Sequence, residues 1–389
     1  MPSEAENTVS YDTVLQDITL AKGLPNAHYT CPEIYARERE LVFFKSWSAL
    51  AFEADVPKAG DAFPIDFLGA PMLLVRGADG EVNVFQNTCR HRGMILVDKP
   101  THLKGPIRCP YHSWCYDYKG ALVRTPYVGG VDIDTHDAIK PDELSLFSVR
   151  SYIWQGVVFI NLSGDAPDFE EVHADVITRW KAFDKPYHVG GDVSCFDMTL
   201  ATNWKLAVEN YCESYHLPWI HPELNQISPI NVHYNIENHD TYSGQGSRNY
   251  NQLIGPNAEK FPDFDGIPKE WDTQGEYVSF FPNVLLGVHR DYAFAMILMP
   301  QGPQQTLERV SMFYAEDLDA PEWQDMLTEN ARIWRGIFNE DIGVVEGMQK
   351  GRHGPLFDGG KFSPVMDGPT HIFHKWVARK MQRNHNATE

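Results

Sequence analysis

Residues 203–222 contain the side chains whose types and spacing most suggest metal chemistry: Glu213, His216 and His221. Two histidines and a carboxylate from elsewhere in the chain can hold one ferrous ion and leave coordination positions open for dioxygen and a substrate. The alternative is that these histidines are ordinary side chains packed among the neighbouring aromatic residues. The segment therefore predicts a candidate iron site whose third ligand lies elsewhere.

A second group of possible ligands lies upstream: Cys89-Arg90-His91 and, after seventeen intervening residues, Cys109-Pro110-Tyr111-His112. Two thiolates and two imidazoles can form a structural zinc site, but such sites usually pair Cys with Cys and His with His along the chain. Here each loop contributes one Cys and one His. This pattern favours a two-iron, two-sulfide cluster in which one iron takes both thiolates and the other both imidazoles. Zinc remains the alternative.

The elements around the first motif are predicted to be short β-strands. From residue 47 to about 162, β-like runs alternate with Gly, Asp and Pro turns, and Ala-Asp-Gly-Glu at 78–81 predicts a hairpin. We interpret this region as a compact all-β domain. Helical apolar spacing predicts helices over 32–46 and 168–183, and a strand is expected at 193–200.

The candidate iron histidines require a break in a helix. Asn203 can cap a helix that begins at Trp204. His216 and His221 would point roughly 140° apart on a straight helix of 3.6 residues per turn. Pro218 is expected to break the helix between them and allow both rings to reach one metal.

The C-terminal half is predicted to begin with a polar, loop-rich stretch at 223–273, which we expect to be mobile over the mouth of a site. His233 and His239 are interpreted as surface residues. Residues 276–316 predict three strands of an antiparallel sheet. A long helix is expected over 321–350, with Trp334 and Phe338 on its apolar face, and a terminal helix over 374–385.

Composition excludes several classes of function. The chain has 389 residues and a formal net charge of −20, which argues against nucleic acid and anionic membranes as partners. We see no signal peptide, no membrane-spanning run and no Rossmann or flavin fingerprint, so we do not expect the chain to bind NADH. The six scattered cysteines indicate a cytoplasmic protein whose paired cysteines hold metal.

The two cluster loops, CRHRG and CPYHSWCYD, resemble those of Rieske non-heme iron oxygenase α subunits, the ring-hydroxylating oxygenases. Met94 and Tyr111 stand nearest to the extra cysteines of respiratory Rieske proteins, which implies the lower-potential oxygenase type. The resemblance implies an α+β class: an all-β Rieske [2Fe-2S] domain plus a helix-grip catalytic domain, in which an antiparallel sheet curls around a long helix. We expect an N-terminal arm and helix (1–46) packing on the catalytic domain, the Rieske domain (47–165) and the catalytic domain (166–389).

The resemblance also implies residue roles. Cys89, His91, Cys109 and His112 would hold the cluster, and NEDIGVVEGMQKG resembles the segment that supplies the third iron ligand, so Asp341 would join His216 and His221 on the mononuclear Fe(II). Glu340 is the local competitor of Asp341. Most family members have Asp where this chain has Glu213, and Glu213 resembles the oxygenases acting on carnitine and related quaternary amines. Glu213 would bridge His216 and, across the interface of a head-to-tail trimer, His112.

The function implied is that of a terminal oxygenase using O₂ and electrons from a separate NAD(P)H-dependent reductase. The substrate is expected to be a small quaternary or N-methylated amine, oxidised with C–N cleavage. The alternative is dioxygenation of an aromatic ring, or O-demethylation of an aromatic acid, in which Arg290 or His289 would pair with the carboxylate. Six aromatic residues are candidates for the pocket: Tyr211, Trp219, Tyr277, Phe280, Phe281 and Phe294. We expect a homotrimer or a multiple of trimers.

Overall fold

The computed structural model describes residues 10–238, 240–250 and 259–382. The chain forms two compact units, one of Met1–Ala49 with Pro167–Glu389 and the other of Leu50–Ala166. His239, the first nine residues of the predicted arm, residues 251–258 of the loop-rich stretch and the end of the terminal helix lie outside the described residues. Within the described ranges, no helix is both long and apolar enough to cross a bilayer.

The Leu50–Ala166 unit is built from short strands, as predicted for an all-β domain. Its strands are β1 (Ser48–Phe52), β2 (Asp61–Phe67), β3 (Ala70–Arg76), β4 (Val82–Gln86), β5 (Thr101–His102), β6 (Ile107–Arg108), β7 (Cys115–Tyr116), β8 (Leu122–Arg124), β9 (Arg150–Trp154) and β10 (Val157–Asn161). The first two residues of β1 precede the boundary of the unit at Leu50. They form three sheets, in the orders β1-β10-β9, β4-β3-β2-β5 and β6-β7-β8. The hairpin predicted at 78–81 is confirmed, because β3 pairs with β4 and Gly80 has a left-handed φ of 87°.

The other unit contains an antiparallel sheet. Its strands are β11 (His188–Val189), β12 (Cys195–Leu200), β13 (His233–Glu237), β14 (Tyr242–Ser247), β15 (Gly275–Phe280), β16 (Val284–Val288), β17 (Tyr292–Pro300) and β18 (Thr306–Tyr314). The order is β11-β18-β17-β16-β15-β14-β13, and β12 pairs with β18. All of these pairings are antiparallel.

Helices accompany this sheet, and the predicted α+β class is confirmed. They are α1 (Ala27–Thr30), α2 (Pro32–Glu38), α3 (Phe169–Val172), α4 (Ala174–Arg179), α5 (Trp204–Tyr211), α6 (Leu217–Ile220), α7 (Pro222–Ile227), α8 (Gln324–Gly351) and α9 (Gly368–Gln382). The long helix α8 matches the prediction, with Trp334 and Phe338 buried. The helix predicted at 168–183 is divided into α3, α4 and a 3₁₀ turn.

Two predictions about the sheet are wrong. Residues 276–316 form four strands, β15 to β18, because the chain turns between Phe280 and Val284, where the Asn283 side chain is held by the backbone of Ala49. The loop-rich stretch contains β13 and β14, whose glycine and polar residues lack a typical strand composition. Glycine is required there, since a Cβ on Gly244 would lie 2.1 Å from the carbonyl oxygen of Tyr277.

Helix α5, which leads into the candidate iron site, is fixed at its start. Asn203 caps it as predicted, its side chain accepting from the Lys205 N–H at 3.1 Å. The fully buried Lys205 Nζ donates to both carboxylate oxygens of Glu38, at 2.9 and 2.7 Å. Glu38 also contacts His28 Nδ1 at 2.8 Å, so one buried carboxylate joins α2, the preceding helix and α5.

Replacing Lys205 with Met should lower the free energy of unfolding by about 3–5 kcal/mol, because it leaves a buried carboxylate without its cation. Denaturant unfolding measures this change. The control, Lys22→Met, removes an exposed pair with Asp358 and should cost less than about 1 kcal/mol. Equal losses for the two variants would show that the buried pair has no special role.

Candidate active site

The two candidate iron histidines flank one short helical turn. Helix α5 ends at Tyr211, earlier than predicted, and α6 begins directly after His216 with Pro218 in its first turn. His221 ends α6, and its ring centroid lies 5.2 Å from that of His216. The break thus comes before Pro218, and it brings the two rings together as the spacing required.

Asp341 of α8 joins these histidines. Its Oδ1 lies 3.0 Å from His221 Nε2 and 3.7 Å from His216 Nε2. The candidate ligand atoms of the three residues all lie within 4.8 Å of one another. Two imidazoles and one carboxylate therefore converge on one point, and the pocket described below opens beside it.

A carboxylate orients each imidazole. His216 Nδ1 lies 2.7 Å from Glu213 Oε1, and His221 Nδ1 lies 2.6 Å from Glu340 Oε2. A carboxylate accepts hydrogen bonds, so each Nδ1 carries the proton and each Nε2 presents its lone pair toward Asp341. From the sequence, Glu340 was considered only as the alternative to Asp341 as iron ligand, and its contact with His221 was not predicted. The adjacent acids in the Asn-Glu-Asp sequence were the available signal.

The electrostatics of this cluster fit a bound divalent cation. Asp341 Oδ1 is buried and makes no well-oriented hydrogen bond to any described residue. Burial lowers the pKa of His221, but Asp341 and Glu340 outweigh it and raise that pKa above its usual value. Three carboxylates around two imidazoles leave excess negative charge, which is costly in a partly buried site unless a cation is present. The donor set suits ferrous iron.

A pocket of about 490 Å³ lies against these ligands. Its lining combines the three ligands with aromatic, aliphatic and amide side chains: Asn210, Tyr211, His216, Leu217, His221, Leu224, Ser228, His233, Gln245, Tyr277, Trp334, Ile337, Phe338 and Asp341. Lys and Arg are absent from this described lining. His233 was interpreted as a surface residue, but its Nδ1 is held by Gln245 Oε1 at 2.6 Å in the pocket wall.

Only Tyr211 and Tyr277 of the six predicted pocket aromatics belong to this lining. Trp219 is 77% exposed on α6. The ring centroids of Phe280 and His173 lie 4.4 Å apart, and those of Phe281 and Trp376 lie 5.1 Å apart. Both phenylalanines therefore pack in the core outside the pocket.

Phe294 packs behind Trp334, with ring centroids 4.5 Å apart, and supports the pocket wall without lining it. Trp334 and Phe338 line the pocket and were missed as site residues. They precede Asp341 by seven and three positions, which places all three on one face of α8. The helical spacing of Trp334 and Phe338 relative to Asp341 would have predicted both as pocket residues.

Neither residue considered for a substrate carboxylate is available. Arg290 pairs with Asp263 at 2.8 Å and with Asp272 at 2.6 Å, and it is not among the lining residues. His289 is buried, and burial lowers its pKa to about 3, so the ring is neutral. The pocket therefore offers an anionic substrate no cationic partner among the described residues.

The two Cys/His loops of the Leu50–Ala166 unit have the same backbone pattern. The Cys89 N–H donates to Met94 O at 2.8 Å, and the Cys89 carbonyl accepts from the Gly93 N–H. The Cys109 N–H donates to Trp114 O at 2.8 Å, and the Cys109 carbonyl accepts from the Ser113 N–H. Gly93 and Ser113, at equivalent positions, have φ of 73° and 60°. The sequence motif is thus a repeated loop structure.

The loops separate thiols from imidazoles. Cys89 and Cys109 are buried in the hydrophobic core of the unit, whereas His91 and His112 are exposed, with ring centroids 4.7 Å apart. The thiols lie on one side and the imidazoles on the other, as a cluster with one thiolate-bound and one imidazole-bound iron requires. All six cysteines are free, so no disulfide joins the two loops. Met94 and Tyr111 stand nearest to the positions where respiratory Rieske proteins have the extra cysteines.

Comparison with known proteins identifies the family of this chain. A model of the Rieske [2Fe-2S] domain matches residues 46–137. A model of the ring hydroxylating alpha subunit (catalytic domain) matches residues 171–383, which is more than half of the chain. The chain belongs to the ring-hydroxylating alpha-subunit family. It is a Rieske-type oxygenase, an oxidoreductase with a [2Fe-2S] cluster and a mononuclear iron. The match to the Rieske domain favours the cluster over the zinc alternative.

Relatives of this oxygenase include both monooxygenases and dioxygenases. The glycine betaine monooxygenase oxygenase subunit of Chromohalobacter salexigens is 23% identical, over 92% of this chain and 86% of the relative. Choline monooxygenase of Spinacia oleracea is 26% identical, over 92% and 78%. The solved structure of the quaternary ammonium monooxygenase CntA with L-carnitine has the same fold, at 21% identity, TM-score 0.77 and coverage of 97% of this chain and 100% of that chain.

Replacing Tyr116 with Phe should lower the reduction potential of the cluster. The Tyr116 hydroxyl accepts from the Arg90 N–H at 3.0 Å, which leaves its proton directed to Cys89 Sγ at 3.3 Å. Hydrogen bonds to cluster sulfurs favour the more negative reduced form. A redox titration measures the shift. The control, Tyr118→Phe, removes a hydroxyl bonded to Leu103 O and should leave the potential unchanged.

Replacing Glu340 with Gln should weaken iron binding at the mononuclear site by roughly 10- to 100-fold, the usual effect of losing such an orienting carboxylate. Iron titration of metal-depleted protein gives the affinity, and the cluster absorbance should stay constant. Glu329→Gln, which changes an exposed acid of the same helix, is the control. Unchanged affinity in Glu340→Gln would refute the orienting role.

Proposed function

We propose that this chain is the terminal oxygenase component of a system that oxidises a small quaternary or N-methylated amine by monooxygenation with C–N cleavage. A separate NAD(P)H-dependent reductase supplies the electrons. The observation that carries this proposal is the pocket beside His216, His221 and Asp341, which has aromatic walls and no Lys or Arg among its described lining. The glycine betaine, choline and carnitine monooxygenases among the relatives support the same substrate class.

In this proposal His216, His221 and Asp341 hold the mononuclear iron, and Cys89, His91, Cys109 and His112 hold the cluster. When bound at these residues, the cluster would provide electron storage and the iron would provide dioxygen activation. Glu213 and Glu340 keep the imidazoles oriented. We assign residues 1–46 to an arm on the catalytic domain, 47–165 to the Rieske domain and 166–389 to the catalytic domain, which the unit boundaries at Leu50 and Pro167 support.

The aromatic walls suit a cation. The rings of Tyr211 and Tyr277 lie 6.5 Å apart, those of Tyr277 and Trp334 6.1 Å, and those of Trp334 and Phe338 5.6 Å. Two of these rings are fixed by hydrogen bonds, from Tyr211 to Leu286 O at 2.9 Å and from Trp334 Nε1 to Tyr292 at 3.1 Å. Preorganised aromatic faces attract a quaternary ammonium by about 0.5–2 kcal/mol each.

The alternative substrate class is an aromatic compound. The apolar walls would accept a neutral ring, and biphenyl 2,3-dioxygenase of Rhodococcus jostii is 26% identical over 81% of this chain and 74% of that protein. An aromatic acid fits less well, because the described lining offers its carboxylate no Lys or Arg. A neutral aromatic is therefore the second candidate.

The proposed electron path runs between subunits and therefore implies an oligomer. We propose a head-to-tail trimer, or a multiple of it, in which Glu213 bridges His216 to His112 of a neighbouring subunit. The contact of Glu213 with His216 Nδ1 supports half of this bridge, and the CntA structure is described as giving insight into inter-subunit electron transfer. We further propose a cytoplasmic location, on the basis of the free cysteines.

The function is tested with a surrogate reductase and a panel containing choline, glycine betaine, L-carnitine, biphenyl and an aromatic acid. We expect substrate-dependent O₂ consumption with at least one quaternary amine and none with the aromatic acid. Product analysis by mass spectrometry distinguishes oxidation from uncoupled O₂ use. Oxidation of biphenyl alone would replace the proposal with the dioxygenase alternative.

Replacing Glu213 with Gln should slow reoxidation of the reduced cluster in the presence of substrate by about 100-fold or more, because the bridge loses its charge. Stopped-flow absorbance measures this rate, and iron analysis confirms that both centres remain loaded. Glu213→Asp should retain part of the rate. If Glu213→Gln reoxidised at the original rate with both centres loaded, the electron bridge would be wrong.

A further inference from the structure

A second cavity, of about 320 Å³, extends the active-site pocket into the interior of the catalytic unit. It shares four lining residues with the first: Asn210, Tyr211, Phe338 and Asp341. The remaining lining residues come from α5, α8 and the inner face of the sheet: Leu200, Ala207, Leu285, Met296, Glu308 and Val345. The site therefore has an outer and an inner chamber, with Asp341 on the shared wall.

Glu308 is the one acid of the inner chamber that is not an iron-ligand candidate within its described lining. It lies in β18 between Met198 of β12 and Leu298 of β17, and is only 5% exposed. Its carboxyl makes no hydrogen bond or ion pair with any described residue. The adjacent Arg309 cannot neutralise it, because successive strand residues face opposite sides and Arg309 faces Asp197.

A carboxyl in this position does not stabilise the fold. The neighbouring strand positions are apolar, and a buried carboxyl without a partner is costly, so an aliphatic residue would stabilise the sheet more. Uncompensated acids lining a cavity are characteristic of sites that receive a ligand. The missing partner is therefore expected on the substrate.

We propose that Glu308 is the counter-charge for the ammonium group of the substrate, and that this chain selects substrates with a net positive charge over zwitterionic ones. The inference rests on the proposed function and narrows its substrate class. Each described chamber lining lacks Lys and Arg, so a second, anionic group on the substrate would lie near Glu308 with no basic Lys or Arg side chain to pair with. A trimethylammonium alcohol fits both chambers better than a trimethylammonium carboxylate.

The test compares the intact oxygenase with Glu308→Gln and Glu308→Asp. The probes are choline, its uncharged carbon isostere 3,3-dimethylbutan-1-ol, and glycine betaine. Calorimetry measures binding and the reductase-coupled assay measures kcat and KM. Glu329→Gln, which removes one exposed acid of α8, controls for net charge. Iron content, cluster absorbance and Tm report whether each variant is intact.

The original protein should bind choline roughly 10- to 100-fold more tightly than the isostere, as expected for a charge pair in a partly desolvated site. It should also prefer choline to glycine betaine. Glu308→Gln should lose most of the preference for choline over the isostere, mainly through KM, while Glu308→Asp and Glu329→Gln retain it. Equal loss for choline and its isostere, or no loss for either, would overturn the inference.

The outcomes separate this inference from the proposed function. Amine oxidation that is insensitive to Glu308→Gln would retain the function and reject the counter-charge. Choline binding that depends on Glu308 without oxidation of any amine would retain the counter-charge and reject the function. Failure of the original protein to bind any cationic probe would reject both.

Discussion

The hydrogen bonds from two imidazole Nδ1 atoms to two carboxylates are the constraint on which the catalytic site depends. Glu213 and Glu340 fix both rings so that each Nε2 points toward Asp341. Without these bonds each ring could present either nitrogen, and the three ligand atoms would not converge. The two acids come from different parts of the chain, so α8 must lie beside the turn that carries the histidines.

Helix α8 meets this requirement with a single face. Trp334, Phe338 and Asp341 repeat at helical spacing, so the helix that supplies the carboxylate also supplies two walls of the pocket. The inner face of the sheet closes the opposite side and contributes Glu308 to the inner chamber. Ligand geometry and substrate volume therefore depend on the same packing of α8 against the sheet, and a shift of that helix would alter both.

Much of this arrangement was predictable from the sequence. The paired Cys/His loops identified the cluster motif, because ligand type and spacing are local properties. The contribution of Asp341 came from resemblance, since no local pattern connects it to His216. Phe280, Phe281 and Phe294 were predicted for the pocket but lie outside its described lining, because aromatic composition does not reveal which strand face meets a cavity. Strands β13 and β14 were missed because their glycines are required by contacts with neighbouring strands, which are not local in sequence.

The central claim is that one polypeptide holds a cluster and a separate iron bound by His216, His221 and Asp341. Iron analysis of the intact protein and of a His221→Ala variant, with paramagnetic resonance of the reduced cluster, tests it most directly. The account predicts about three irons per chain in the original protein and about two in the variant, with the cluster signal unchanged. Equal iron content in the two proteins, or zinc in place of iron in the N-terminal loops, would contradict it.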